Sequence, residues 1–392
     1  MDINKSLTEI TQRTLILVGG GHSHALLLKK LSKGPIANLS IILISPNQLT
    51  PYSGMLPGLI AGHYDHQDIH IDLAKLSNET DIQFIEDRAR SLSPKQQELT
   101  LSSGKVLSYD LISFDTGATP DLSIPGAAEH SIPVKPIDDF YTRWQDVLSN
   151  HSLEKHALEK KEYSESKTLS VIGSGAAGVE LILAFHHRLK HLHSKNTQPP
   201  IKLQLIVRGS DILAGYPPKV IQAIKKKFKQ ANIKIHNHFD VTEVKADKLV
   251  ATNGSTLESH IHFWCTQVKG AEWLKDTQLD LSEQGFIRVG PTLQSQCYDS
   301  VFAVGDVCHF DPSPLPKAGV YAVRMADTLD HNIRAKLAGS QLKAYQPQTD
   351  FLSLLACGDK TAIGCKQGFT IKGRWVWKVK NRIDQKFMGL FK

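Results

Sequence analysis

Two glycine-rich turns, each set between a short apolar strand and a helix, limit most severely what this chain can fold into. In the first, residues 15–18 read as a buried strand, Gly19, Gly20 and Gly21 follow at once, and residues 25–31 carry a helical pattern. In the second, residues 169–172 are the strand and Gly173-Ser174-Gly175-Ala176-Ala177-Gly178 is a complete GxGxxG; residues 179–189 continue as helix. Strand, glycine turn and helix in that order form the phosphate-binding start of a dinucleotide fold. The glycines let the backbone turn tightly and approach a pyrophosphate, while the helix start offers unpaired N–H groups and a positive dipole end. The first copy departs from the pattern. His24 stands where the third glycine is expected, and the strand at 41–44 leads to Ser45 instead of a ribose-binding acid. His22, Ser23 and His24 are expected to contact the cofactor or cap the helix, not to carry protons.

A third signal follows. Residues 301–304 read as a strand that ends in Gly305-Asp306, and Pro316-Lys317-Ala318-Gly319 leads into a long helix. This strand is expected to rejoin the first sheet. The predicted fold is therefore α/β, with two Rossmann-like three-layer domains, the second inserted in the first, and a C-terminal tail. The expected divisions are 1–148 and 285–338 for the first domain, a polar linker at 149–166, 167–284 for the second domain, and 339–392 for the tail.

Composition narrows the function. The chain of 392 residues is long enough for two or three domains, and 41% hydrophobic with 22% charged residues is an ordinary globular mixture. Its five cysteines form no CxxC or CxxxxC pair, which argues against a zinc ribbon or a vicinal redox disulfide. The first residues contain no apolar signal-peptide core, and no run approaches a membrane span. Of the formal charge of +7, +6 lies between Lys372 and Lys392. A basic tail on a near-neutral body argues against a nucleic-acid binder and favours a local anionic partner such as a membrane surface.

The set Gly19 to His24, Asp115 to Ala118, Gly173 to Glu180 and Phe302 to Asp306 resembles the pyridine-nucleotide flavoprotein family, which includes disulfide reductases, ferredoxin reductases and type II NADH dehydrogenases. More narrowly, VGGGHSHALLLKKL and TPYSGMLPGLIAGHY resemble the flavoprotein domain found fused ahead of selenide, water dikinase. The resemblance implies a glutathione-reductase-like arrangement with FAD on the first domain and NAD(P)H on the second. It implies hydride transfer from the nicotinamide to the flavin, then electron transfer to a small-molecule or quinone acceptor. The alternative it carries is an accessory flavoprotein of selenium metabolism acting through a protein partner.

Residue by residue, the resemblance places Gly19–Gly21, Ser45, Thr116, Gly117, Gly305, Asp306 and Ala318 around FAD, with Asp306 at the ribityl chain or phosphate. It places Gly173, Gly175, Ala176, Ala177 and Gly178 around NAD(P)H. Glu180 occupies the position that lies near the nicotinamide in type II NADH dehydrogenases. Lys317 begins the helix that faces the flavin pyrimidine ring, where a cation stabilises negative charge. Glu180 and Lys317 are thus the candidate catalytic residues. Arg208 stands where an acid would mark NAD, and an arginine there can pair with a 2′-phosphate. Lys317 and Tyr321 stand where the type II quinone motif has glutamines, a departure that bears on the acceptor.

Histidines gather in two places. His63, His66 and His70 alternate with Asp65, Asp68 and Asp72, and His186, His187, His191 and His193 lie on or after the second motif's helix. Both groups fall within segments the fold explains and read as surface histidines, with no metal expected. Between Trp375 and Phe391, apolar residues Val376, Val379, Ile383, Phe387 and Leu390 share one helical face, and the lysines and arginines lie largely on others. A basic amphipathic helix with tryptophans suits a membrane surface. The expected location is cytoplasmic, peripheral on the inner face of the cell membrane. The alternative is that this face packs on the body or on a second subunit, as in a homodimer.

Overall fold

The computed structural model describes residues 12–158, 167–193, 201–348 and 351–392. The linker expected at 149–166 is only partly covered: the helix Ile137–Leu158 runs through its first half, and 159–166 lie outside the described residues.

Five parallel strands form the first sheet, in the order Val301–Ala303, Leu111–Phe114, Arg13–Val18, Leu39–Ser45, Gln83–Glu86. The near-continuous apolar sequences of the inner strands reflect burial on both faces, whereas the edge strand Gln83–Glu86 is only partly buried. The helices His22–Lys33 and Gly319–Leu337 pack against each other. Leu92, Leu99 and Leu101, from a three-stranded antiparallel meander, join the same core. The strand ending in Gly305-Asp306 pairs with Leu111–Phe114, so the chain leaves this sheet and returns to it.

Between departure and return it builds a second five-stranded parallel sheet, in the order Ser131–Pro133, Ile261–Trp264, Thr168–Ile172, Lys202–Ile206, Lys234–His236. The helix Ala176–His193 follows its central strand. In both sheets the glycine turn sits at the carboxyl end of a central strand, where ligands bind in open α/β sheets.

The last unit is an antiparallel sheet of Ser353–Ala356, Ala362–Lys366 and Phe369–Gly373, followed by the helix Arg374–Met388. This helix divides the apolar face expected from its sequence. Val376 is fully buried and Phe387 packs inward, whereas Trp375, Val379, Ile383 and Leu390 stay exposed. The buried face is centred on Lys380 and Asp384 instead, because these two neutralise each other.

Candidate active site

The first glycine turn is built around Asp115. Gly19 has φ +93°, and a Cβ there would strike the Asp115 backbone; a Cβ on Gly21 or Gly305 would strike the Asp115 carboxylate. That carboxylate accepts the His24 backbone N–H at 3.1 Å, at the start of the helix His22–Lys33. Burial pushes its pKa up to about 7, which the nearby Asp306 charge reinforces and the helix-start N–H groups oppose.

His24 replaces the missing third glycine with a strut. Its Nδ1 lies 2.7 Å from the Gly19 carbonyl and its Nε2 2.8 Å from Ser113 Oγ, so a neutral ring donates to the first and accepts from the second. Burial lowers its pKa to about 4. Ser23 donates to the Ala322 carbonyl at 2.6 Å. Both residues are completely buried beneath the turn and support it, whereas Gly21 and His22 are partly open. The strand end at Ser45 carries no acid of its own, but Glu86 lies opposite it on the next strand and accepts from Gln48 at 2.8 Å.

Beside the turn, Asp306 pairs with Lys135 at 2.7 Å. Lys135 was not a sequence candidate; the two residues are 171 positions apart and no local spacing marks them. Lys317 is held elsewhere. Its ammonium donates to the Cys308 carbonyl at 2.5 Å and lies 3.7 Å over the Phe286 ring, and burial lowers its pKa. Gly117, at φ +73°, and Gly319, near His22 and Ser53, complete this side with Thr116 and Ala318.

In the second turn the three glycines divide the labour expected of GxGxxG. Gly173, at φ +129°, abuts the Cys265 carbonyl, and Gly178 packs so closely on Gly173 that a Cβ would collide with its carbonyl. Gly175 has nothing near its missing Cβ, which leaves room for a pyrophosphate above the start of Ala176–His193. Ala176 and Ala177 are that start, and Arg208 is exposed just past the neighbouring strand.

Glu180, one turn into that helix, accepts the Ala356 N–H at 2.7 Å. Burial raises its pKa to about 7, against the pull of Lys380. Lys380 links the helix Arg374–Met388 to the first domain: it donates to the Gly54 carbonyl at 2.6 Å and to Asp384 at 2.7 Å. Tyr52 stacks on Phe387 at 4.4 Å, and His22 approaches both rings, at 5.2 Å from Tyr52 and 5.9 Å from Phe387. Tyr64 donates to Asn381 at 2.6 Å. The terminal helix thus adjoins both turns' surroundings, a role its sequence did not signal.

Glycine turns at helix starts on two parallel sheets suit two dinucleotides in one chain, the arrangement of a protein that binds a flavin and a nicotinamide nucleotide. The family model described as pyridine nucleotide-disulphide oxidoreductase matches residues 13–326, and the chain belongs to that family. It is an FAD-dependent NAD(P)H oxidoreductase, with FAD and NAD(P)H as its cofactors. It is 21% identical to the NADH dehydrogenase-like protein YutJ of Bacillus subtilis (strain 168), across 91% of this chain and 92% of that one. Its identity to the alternative NAD(P)H-ubiquinone oxidoreductase C1 of Arabidopsis thaliana is 26%, across 86% and 69%. The fold is similar to NDH2 from Plasmodium falciparum in complex with NADH, with a TM-score of 0.82 at 15% identity, across 96% and 97% of the two chains. It is also similar to the sulfide:quinone oxidoreductase of Aquifex aeolicus, at 0.79 and 19%, across 96% and 91%.

Proposed function

We propose that this oxidoreductase delivers its electrons to a quinone at a membrane surface. The observation that carries the reading is the outer edge of the terminal helix. Trp375, Val379, Ile383 and Leu390 are exposed there, while the inner edge of the same helix reaches Gly54, Tyr52 and, through Lys380, the vicinity of Glu180. An apolar edge flanked by Arg374, Lys378, Arg382 and Lys386 suits an anionic bilayer. Among the described residues no helix is long and apolar enough to cross a membrane, so attachment would be peripheral. The names of two relatives, the Arabidopsis thaliana ubiquinone oxidoreductase and the demethylphylloquinone reductase NdbB of Synechocystis, support a quinone acceptor.

In this reading bound FAD would supply the redox chemistry that links the nicotinamide to the quinone. The chain's own part is positional. Gly19, Gly21, Thr116, Gly117, Gly305, Asp306 and Ala318 hold FAD, with His22 and Lys135 beside them. Gly173, Gly175 and Gly178 admit the pyrophosphate of NAD(P)H, and Arg208 pairs with a 2′-phosphate. Glu180, poised near neutrality, orients the nicotinamide or exchanges a proton beside it. Lys317, held at the Cys308 carbonyl within the field of Asp306, would add positive charge to the flavin site. The test is anaerobic reduction of the flavin by NADH and by NADPH, then reoxidation by a panel containing a soluble quinone, ferricyanide and oxygen. Reoxidation by quinone no faster than by oxygen, or failure of the full chain to float with anionic vesicles at low salt, would remove the corresponding half of the proposal.

A further inference from the structure

Outside the dinucleotide sites, one cluster has the chemistry of a metal centre. His66, His70 and Asp138 present ring nitrogens and a carboxylate oxygen that all lie within 4.8 Å of one another. His70 Nε2 is 2.7 Å and His66 Nε2 3.4 Å from the same oxygen, Asp138 Oδ1. The two imidazoles stack at 3.9 Å between centroids, and both turn Nε2 toward Asp138 Oδ1. Sequence had paired these histidines with their chain neighbours Asp65, Asp68 and Asp72 and read them as surface residues. The fold engages Asp65 and Asp68 in a helix cap and supplies an acid 68 positions from His70 instead.

His70 is the informative residue. Its Nδ1 lies 2.5 Å from the His66 carbonyl, and its Nε2 faces Asp138, so both nitrogens meet oxygen acceptors. Such a ring is either doubly protonated, or it donates from Nδ1 and offers the Nε2 lone pair to a cation that the carboxylate shares. The second arrangement is the usual one for metal-bound histidine, where the distal N–H donates to a backbone carbonyl and fixes the tautomer. The His70 side chain is almost inaccessible, whereas His66 and Asp138 are 40% and 30% exposed and leave an open side for water.

We propose that His66, His70 and Asp138 bind one divalent transition-metal ion of zinc type, with solvent completing the coordination. Two imidazoles and one carboxylate are a borderline donor set that suits Zn²⁺ and Co²⁺ over Mg²⁺ or Ca²⁺. The ion would tie the short strand His70–Asp72 to the helix Ile137–Leu158, which lies between the strands Ser131–Pro133 and Thr168–Ile172 of the second sheet. Because His70 pairs with Pro51 on the neighbouring strand, the ion would also brace the segment that carries Tyr52.

The test uses the full chain with its flavin, stripped by chelator and titrated calorimetrically with Zn²⁺. Co²⁺ serves as an optical probe of ligand geometry. One tight equivalent is expected, with Co²⁺ absorption characteristic of a low-coordinate nitrogen–oxygen site. His66→Ala, at a half-exposed ring, and the near-isosteric Asp138→Asn should each weaken Zn²⁺ binding by at least about 100-fold with flavin content unchanged. His331→Ala, at an exposed histidine elsewhere, should leave it intact. Absence of a tight equivalent in the parent chain would overturn the proposal and leave a protonated His70–Asp138 pair. So would equal binding by His66→Ala and Asp138→Asn, which would locate the ion elsewhere.

Discussion

Replacing Lys380 with methionine should detach the terminal helix locally while leaving the two sheets folded. The side chains of Lys380 and Asp384 are only 13% and 5% exposed and lie 2.7 Å apart. Removing one partner of a buried pair costs about 3 kcal/mol or more, because the other charge is stranded. The lost donor to the Gly54 carbonyl adds about 1 kcal/mol. Together these predict a loss of about 4 kcal/mol, or roughly a 1,000-fold rise in amide exchange across the helix at about 1.4 kcal/mol per decade. Hydrogen-exchange mass spectrometry of peptides spanning the helix Arg374–Met388 reads this directly. The double variant Lys380→Met/Asp384→Leu should recover most of the loss, since an apolar pair of similar size replaces a buried ion pair at little cost. Burial already raises the Asp384 pKa despite Lys380. The single variant's loss should therefore shrink as pH falls and the stranded carboxyl takes up a proton. Exchange that rises less than about tenfold, or a double variant no better than the single, would refute the argument that this helix is fastened by a buried pair.

Other consequences can be measured on the same protein. Gly175→Glu should retain FAD but lose reduction by NAD(P)H in stopped flow, since it fills the space above the second turn; unchanged reduction would remove that turn from the cofactor site. Gly21→Glu should abolish FAD binding, because a side chain there strikes Asp115. With Glu180 titrating near 7 instead of in the usual carboxylate range, flavin reduction should show an inflection near pH 7 that Glu180→Gln abolishes. His24 has a folded pKa of about 4 against 6.5. Its contribution is complete above pH 6.5 and lost as pH falls from 6.5 toward 4, up to about 3 kcal/mol. Flavin release in urea should follow that limb, and His24→Gln should flatten it.

Both glycine turns and the returning strand could be read from the chain because their signals are local. A glycine that must adopt φ +129° against a carbonyl, or leave space above a helix start, imprints its need on a few consecutive positions. What could not be read depends on distant partners. Lys135 finds Asp306, Asp138 finds His70, and Asp115, part of a recognised motif, meets the His24 N–H 91 positions away. The terminal helix follows the same rule. Its amphipathic pattern is local, but the Gly54 carbonyl that receives Lys380 lies 326 positions away. The antiparallel sheet before it had no anticipated role, yet its Ala356 N–H engages Glu180.

The placement of that last unit also orders the protein's biogenesis. Ala356, Lys380 and Phe387 touch Glu180, Gly54 and Tyr52, all of which leave the ribosome long before them. Both nucleotide sheets can therefore assemble during synthesis while the surroundings of Glu180 and Tyr52 are still incomplete. The latch arrives after both sheets, so a nascent chain stalled short of the helix would hold folded dinucleotide domains in which Glu180, Gly54 and Tyr52 still lack these partners.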